Sequence, residues 1–199
     1  MNLKNYYYYY TKALSKKWCE EIIQLGKSKQ ANFAKTIDFE NSSDCVAKKK
    51  QTDRVSNVSW LDEKKIYETL HPFLENANQK SDWNFQWEES EQIQFTTYNK
   101  NCFYDWHMDS FNKPYNHPGK PTNGLIRKIS VTASLCDGEE YEGGDLVIFP
   151  DDSTDEERLL FRCKGTIILF PSYRPHCVTP VTKGTRNAIV GWIHGDAFV

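Results

Sequence analysis

Three side chains with metal-binding chemistry stand out by type and spacing: His107, Asp109 and His176, with Arg186 ten residues after the second histidine. Two imidazoles and one carboxylate can grip one face of an ion and leave its remaining coordination positions open, a set that suits a non-heme ferrous ion and dioxygen. Zinc is the competing metal, because a His2Asp set with an open water can be activated for hydrolysis. The chain offers neither an evident general base nor a phosphate cradle for that chemistry. Arg186 adds a cation that could meet an acidic co-substrate.

His107 and Asp109 are two residues apart, so on an extended segment both leave the same face of the backbone. His176 follows the apolar run GTIILFP and the turn-forming SYRP. It is expected to begin a strand that folds back beside the first pair. A second H-x-D, His194 and Asp196, lies near the C-terminus with no histidine downstream, and is set aside. His71, in a segment of helical periodicity, and His117, in a loop, are expected to be structural or solvated.

The elements that must position these groups are legible as changes of texture. Tyr6 to Tyr10 read as a short strand whose alternate rings face the core. Ser15 is a good N-cap for an amphipathic helix carrying Trp18, Ile22 and Leu25, with Gly26 near its end. Asp62 is the expected cap of a second helix, with Ile66, Leu70, Phe73, Leu74 and Ala77 on one stripe and Pro72 a possible bend. Residues 35–53 are polar, include Lys48, Lys49 and Lys50, and read as a solvated loop. From about Glu91 short apolar runs alternate with turn residues: EQIQFTTY, RKISVTASLC, GDLVIFP, RLLFRC, GTIILFP, HCVTPVT and RNAIVGWIH. Seven or eight such strands predict an antiparallel sandwich or barrel.

Composition narrows the function classes. A chain of 199 residues is expected to form one domain, residues 1–90 supplying helical support and outer strands and 91–196 the core. A formal charge of −2 gives no reason to expect a nucleic-acid partner. Aromatic residues make up 14% of the chain, which favours a β-dominated fold because flat rings pack well on pleated surfaces. No apolar run is long enough for a membrane span, and the N-terminal residues lack the apolar core of a signal peptide, so a soluble, cytoplasmic protein is expected. The six cysteines form no C-x-x-C pair and are expected to be free thiols.

Three stretches resemble the Fe(II)/2-oxoglutarate-dependent dioxygenases, and within them the prolyl 4-hydroxylase-like group of bacterial type. They are Tyr98 to Asp109 (YNKNCFYDWHMD), Arg127 to Phe149 (RKISVTASLCDGEEYEGGDLVIF) and Phe170 to Trp192 (FPSYRPHCVTPVTKGTRNAIVGW). Upstream, Arg54 to Trp60 is similar to the strand that precedes the second helix in that group. The resemblance implies a mainly β fold with N-terminal helices, a double-stranded β-helix or jelly roll of cupin type. It implies that His107, Asp109 and His176 ligate iron and that 2-oxoglutarate chelates the metal while its distal carboxylate reaches Arg186, whose planar fork suits a bidentate contact. Tyr98 matches a tyrosine that bonds the same carboxylate, Tyr104 borders the pocket, and Trp192 matches an aromatic lining position. Ser134 stands where some animal relatives place a second co-substrate tyrosine. The activity implied is hydroxylation by O2 with oxidative decarboxylation of 2-oxoglutarate to succinate and CO2, supported by ascorbate. The expected substrate is a prolyl residue in a peptide or protein. A free amino acid or small metabolite is the alternative, and a non-catalytic sensor domain a further one. The loop from Ser110 to Ile126, rich in Pro, Gly and Asn, is expected to act as a lid. The sequence gives no indication of oligomeric state.

Overall fold

The computed structural model describes residues 5–34, 53–110 and 113–198. Cys45, Lys48, Lys49, Lys50 and nearly all of the polar 35–53 segment therefore lie outside the described residues. In chain order the elements are β1 (Tyr8–Tyr10), α1 (Lys16–Ser28), β2 (Asn32–Ala34), β3 (Arg54–Leu61), α2 (Lys64–Lys80), β4 (Glu89–Ser90), β5 (Ile93–Tyr98), β6 (Phe103–His107) and β7 (Leu125–Ser134). They continue with β8 (Tyr141–Gly143), β9 (Leu146–Ile148), α3 (Asp155–Phe161), β10 (Ile167–Pro171), β11 (His176–Val178), β12 (Val181–Gly184) and β13 (Arg186–Asp196).

Both N-terminal helices form for the reasons their sequences give. Ser15 Oγ accepts from the Trp18 amide and caps α1, which buries Cys19 and Ile22. Helix α2 buries Ile66, Leu70, Leu74 and Ala77 and carries Pro72 inside it. Its N-cap position is Glu63 rather than Asp62, and Asp62 instead accepts from the Tyr67 hydroxyl at 3.0 Å. Gly26 lies within α1, whose C-cap is Lys29. There an added Cβ would lie 2.3 Å from Phe95 Cγ, so the glycine permits close approach of helix to sheet. Gly26→Ala should therefore destabilise the protein. Overpacking a buried ring costs about 1–3 kcal/mol against about 1 kcal/mol gained in helix propensity, and the 2.3 Å clash puts it at the upper end. Urea denaturation measures it, and an unchanged or raised stability would contradict this packing.

One antiparallel sheet carries most of the molecule, in the order β1-β10-β7-β13-β5-β3-β6-β11-β9, with β2 against β3 and β4 against β13. It curls because β3 changes partners: Asn57–Leu61 pair with β5, whereas Arg54 and Val55 pair with Tyr104 and Phe103 of β6. Strands β8 and β12 form a separate ladder. The fold is thus mostly β, a curled antiparallel half-barrel with few helices.

Period-two alternation sorts the two faces. Ile93 and Phe95 of β5, Ile129, Val131 and Ala133 of β7, Ile167 and Leu169 of β10, and Ile189 and Ile193 of β13 share a core with Ile22, Ile66 and Leu74 of the helices. The intervening positions on β5 and β7 are Gln94, Thr96, Tyr98, Ser130, Thr132 and Ser134, all buried and mostly polar. One correction concerns the apolar runs. The run RLLFRC belongs largely to α3, not to a strand: Thr154 and Glu157 form a reciprocal capping box, and three acids occupy the first turn. In the tyrosine run alternate rings face the core as expected: Tyr8 and Tyr10 pack on the helix side, and Tyr7 and Tyr9 pack against Phe161 on the other. Among the described residues the five cysteines are free, and no helix is long and apolar enough to cross a membrane.

Candidate metal centre and co-substrate pocket

His107 ends β6 and His176 begins β11, and the two are direct cross-strand partners. Opposed residues on antiparallel strands hold their Cβ atoms about 4.5–5.5 Å apart, and the two imidazole centroids are 4.1 Å apart. Asp109 follows the end of β6 and is held there by its amide, which donates to Ser172 O at 2.9 Å. The ligand atoms of the three side chains all lie within 4.8 Å of one another, and this is the group able to hold a metal ion among the described residues. His107 Nε2 is 3.7 Å from Asp109 Oδ1 and His176 Nε2 is 3.4 Å from Asp109 Oδ2.

Neighbours fix the orientation of each group. The Nδ1 of His107 contacts Asp105 O at 2.7 Å and that of His176 contacts Arg174 O at 2.9 Å. A carbonyl only accepts, so Nδ1 carries the proton and Nε2 presents its lone pair to the shared centre. The Ser130 hydroxyl donates to Asp109 Oδ2 at 2.7 Å and is itself 2.9 Å from Ser172 Oγ. Burial pushes the His107 imidazole down to about 4, and the neighbouring His176 adds to the effect. Burial would raise Asp109, but His176, His107, Arg127 and the Ser130 hydroxyl outweigh it and hold the carboxyl below its ordinary range. At neutral pH the centre therefore offers a neutral His107 imidazole and a carboxylate, the protonation states a metal requires of such ligands.

The triad opens on a recess of about 440 Å3, part of it continuous with solvent, whose walls include Tyr98, Tyr104, Arg186 and Trp192. Arg186 starts β13 directly opposite Tyr98, and its guanidinium lies 5.3 Å from that ring's centroid. Burial raises the Tyr98 phenol and pushes Tyr104 up to about 12, so both remain hydrogen-bond donors. Tyr104 stacks on the His107 imidazole, with centroids 3.4 Å apart. Gly144, at φ +66°, leaves the space beside Arg186: an added Cβ would sit 3.2 Å from Arg186 Cδ. Trp192 packs beneath the Arg127 guanidinium at 3.8 Å, and Arg127 forks onto Glu91 at 2.6 and 2.7 Å.

Ser134 is not brought to this recess. Its hydroxyl donates to Phe161 O at 2.7 Å, and the β7 side chain that reaches the wall is Thr132. Sequence reasoning missed Arg54, Gln94 and Thr132 on the wall and the Ser130–Ser172 pair behind Asp109. The signal available for most of them was polar residues at alternate positions of strands whose other face is mostly apolar. His194 is fully buried, with Nε2 2.9 Å from Glu91 Oε1, whereas Asp196 is exposed, so the second H-x-D does not converge. His71 bonds Ser90 Oγ at 2.9 Å and His117 stacks on Tyr115.

The comparisons with known proteins agree with this geometry. The PKHD-type hydroxylase YbiX of Escherichia coli O6:K15:H31 is 38% identical over 100 residues, covering 50% of this chain and 41% of that protein. The chain thus spans about two fifths of that relative's length. Two solved structures share the fold at low identity. The viral collagen prolyl hydroxylase of Paramecium bursaria Chlorella virus-1, solved with 2OG, gives a TM-score of 0.64 at 16% identity and covers 96% of each chain. A Pseudomonas putida prolyl-4-hydroxylase gives 0.64 at 18%, covering 96% of this chain and 93% of that one. The model of the 2OG-Fe(II) oxygenase superfamily matches residues 93–194, which hold every member of the triad and Arg186, and the chain belongs to that family.

Proposed function

We propose that this protein hydroxylates a prolyl residue of a peptide or protein, with 2-oxoglutarate and O2 as co-substrates and succinate and CO2 as co-products. The observation that carries the reading is the convergence of two Nε2 lone pairs and one carboxylate on one point at the mouth of a recess whose wall mixes charged, polar and apolar side chains. The residues fit a ferrous ion: the set is two imidazoles and a carboxylate, each held from behind by a backbone carbonyl or a hydroxyl. His107, Asp109 and His176 would hold it, and when bound it supplies oxidative decarboxylation of 2-oxoglutarate coupled to hydroxylation, with ascorbate keeping it ferrous.

The chain's own residues bind, orient and exclude water. Arg186 would take the distal carboxylate of 2-oxoglutarate through a charge-assisted fork, with the Tyr98 hydroxyl donating beside it. Leu146, Phe170, Val178 and Val190 supply apolar wall that strengthens those contacts by excluding water. The exposed side favours a chain-like substrate. Trp106 and Met108, each 50% exposed, flank His107. A groove bordered by Trp60, Tyr115, His117 and Pro121 runs beside Arg127. The segment from Tyr115 to Leu125 is tied across its base by Tyr115 N to Leu125 O at 2.9 Å and Gly124 N to Tyr115 O at 2.9 Å. It forms one side of that groove, where it would meet a bound chain. Helices and sheet share one core, which supports a single domain. Mass spectrometry of proline-containing peptides, incubated with protein, iron and 2-oxoglutarate, should find a product heavier by one oxygen on proline. A product only on free amino acids would favour the metabolite reading.

A further inference from the structure

Beyond the triad and Arg186, the recess holds a second buried cation, Arg54, which is 8% exposed and lines the same cavity. Its guanidinium is fixed on three sides. Nε donates to Ser56 Oγ at 2.8 Å, Nη1 approaches Gln94 Oε1 at 3.4 Å, and one face lies 4.6 Å from the centroid of Tyr104, the ring stacked on His107. Nη2 has no hydrogen-bond partner among the described residues. A buried guanidinium with an unused N–H edge and, among the described residues, no carboxylate paired to it is costly to the fold, and such groups mark places where a ligand completes the pairing.

The charges say what kind of ligand. Asp109 is the one carboxylate among the described lining residues, and Arg127 nearby is already matched by Glu91. A divalent iron is balanced by the doubly charged 2-oxoglutarate, and Asp109 balances one arginine. One positive charge is left, on a planar fork whose chemistry favours a carboxylate. We infer that Arg54 is a substrate subsite that binds a free carboxylate carried by the residue to be hydroxylated. Two sources have that chemistry, a free amino acid and the C-terminal residue of a peptide. An internal prolyl residue lacks it. This inference rests on the dioxygenase reading and narrows its substrate class.

The test is calorimetric titration of the anaerobic protein, loaded with iron and 2-oxoglutarate, with L-proline, glycyl-L-proline and glycyl-L-proline amide. At least one of the two acids should bind roughly thirtyfold or more tightly than the amide, and whichever binds identifies the source. In Arg54→Gln that preference should vanish, and Arg54→Lys should restore part of it. The affinity for 2-oxoglutarate should stay within about threefold of the parent protein. Equal binding of acid and amide, or binding of none of the three probes, overturns the subsite without needing a variant. A preference that survives in both variants, or a loss of 2-oxoglutarate binding in Arg54→Gln as large as in Arg186→Gln, overturns it too. Failure of the protein to make succinate with iron under any condition would instead remove the dioxygenase reading, and is read separately from these titrations.

Discussion

Replacing His107 with alanine should abolish ferrous-iron binding while leaving the fold in place. The imidazole sits at the end of β6 against the mouth of the recess, so its removal costs the sheet no ladder bond. The loss is limited to the Tyr104 stack, the Asp105 contact and the approaches to His176 and Asp109. An aromatic pair of this kind contributes about 0.5–1.5 kcal/mol, too little to unfold a domain of ordinary stability. The metal loses far more, because one imidazole and one carboxylate no longer define a face. Ser130→Ala provides the graded comparison. Its hydroxyl only orients Asp109 Oδ2, and removal of such an outer partner typically costs roughly 10–100-fold in metal affinity. Anaerobic titration of the metal-free protein with Fe(II) should therefore rank parent, Ser130→Ala and His107→Ala in falling order. Equal affinities for parent and His107→Ala would contradict the assignment.

Arg186→Ala should do the reverse, sparing iron and weakening 2-oxoglutarate. Arg186 is buried, faces Tyr98 across the β5–β13 ladder, and keeps its stem in the space that Gly144 leaves open. Truncating one partner of a buried, hydrogen-bonded charge pair costs about 2–5 kcal/mol, which is at least roughly thirtyfold in the dissociation constant of 2-oxoglutarate. Fe(II) affinity should change by less than about threefold, since no atom of Arg186 belongs to the converging group. Arg186→Lys should recover only part of the loss, because an ammonium cannot reproduce the planar fork. A parallel loss of iron would mean that Arg186 supports the triad rather than the co-substrate.

The chemical residues were legible because their chemistry fixes their types. A metal face needs imidazoles and a carboxylate, and the two-residue step from His107 to Asp109 suggests a common side, which the Asp109 amide hydrogen bond to Ser172 O secures beyond the end of β6. Helix α1 was legible from Ser15 and its stripe, and β5, β7 and β13 as short apolar runs between turn residues. What escaped depends on contacts distant in sequence or on competition between local signals. RLLFRC looked like a strand by apolarity, while the Thr154–Glu157 capping box and the acidic first turn favoured a helix. Ser134 and Thr132 share one face of β7, but Ser134 sits at the strand end, where the nearby Phe161 carbonyl takes its hydroxyl. Arg54 reaches the recess because β3 leaves β5 and pairs with β6 at Arg54, a change of partner that no local pattern encodes. Gly26 was legible as lying near the end of α1, and only the position of the Phe95 ring explains why it is glycine.

The central claim is that His107, Asp109, His176 and Arg186 form one iron- and 2-oxoglutarate-dependent centre. Its most direct measurement is succinate formed from 2-oxoglutarate by the purified protein with Fe(II) and ascorbate, with and without a proline-containing substrate. Slow succinate release is expected with protein and iron alone, faster release with substrate, and none when iron is withheld or His107 is replaced. Succinate release indifferent to iron, or absent at every iron concentration, would contradict it.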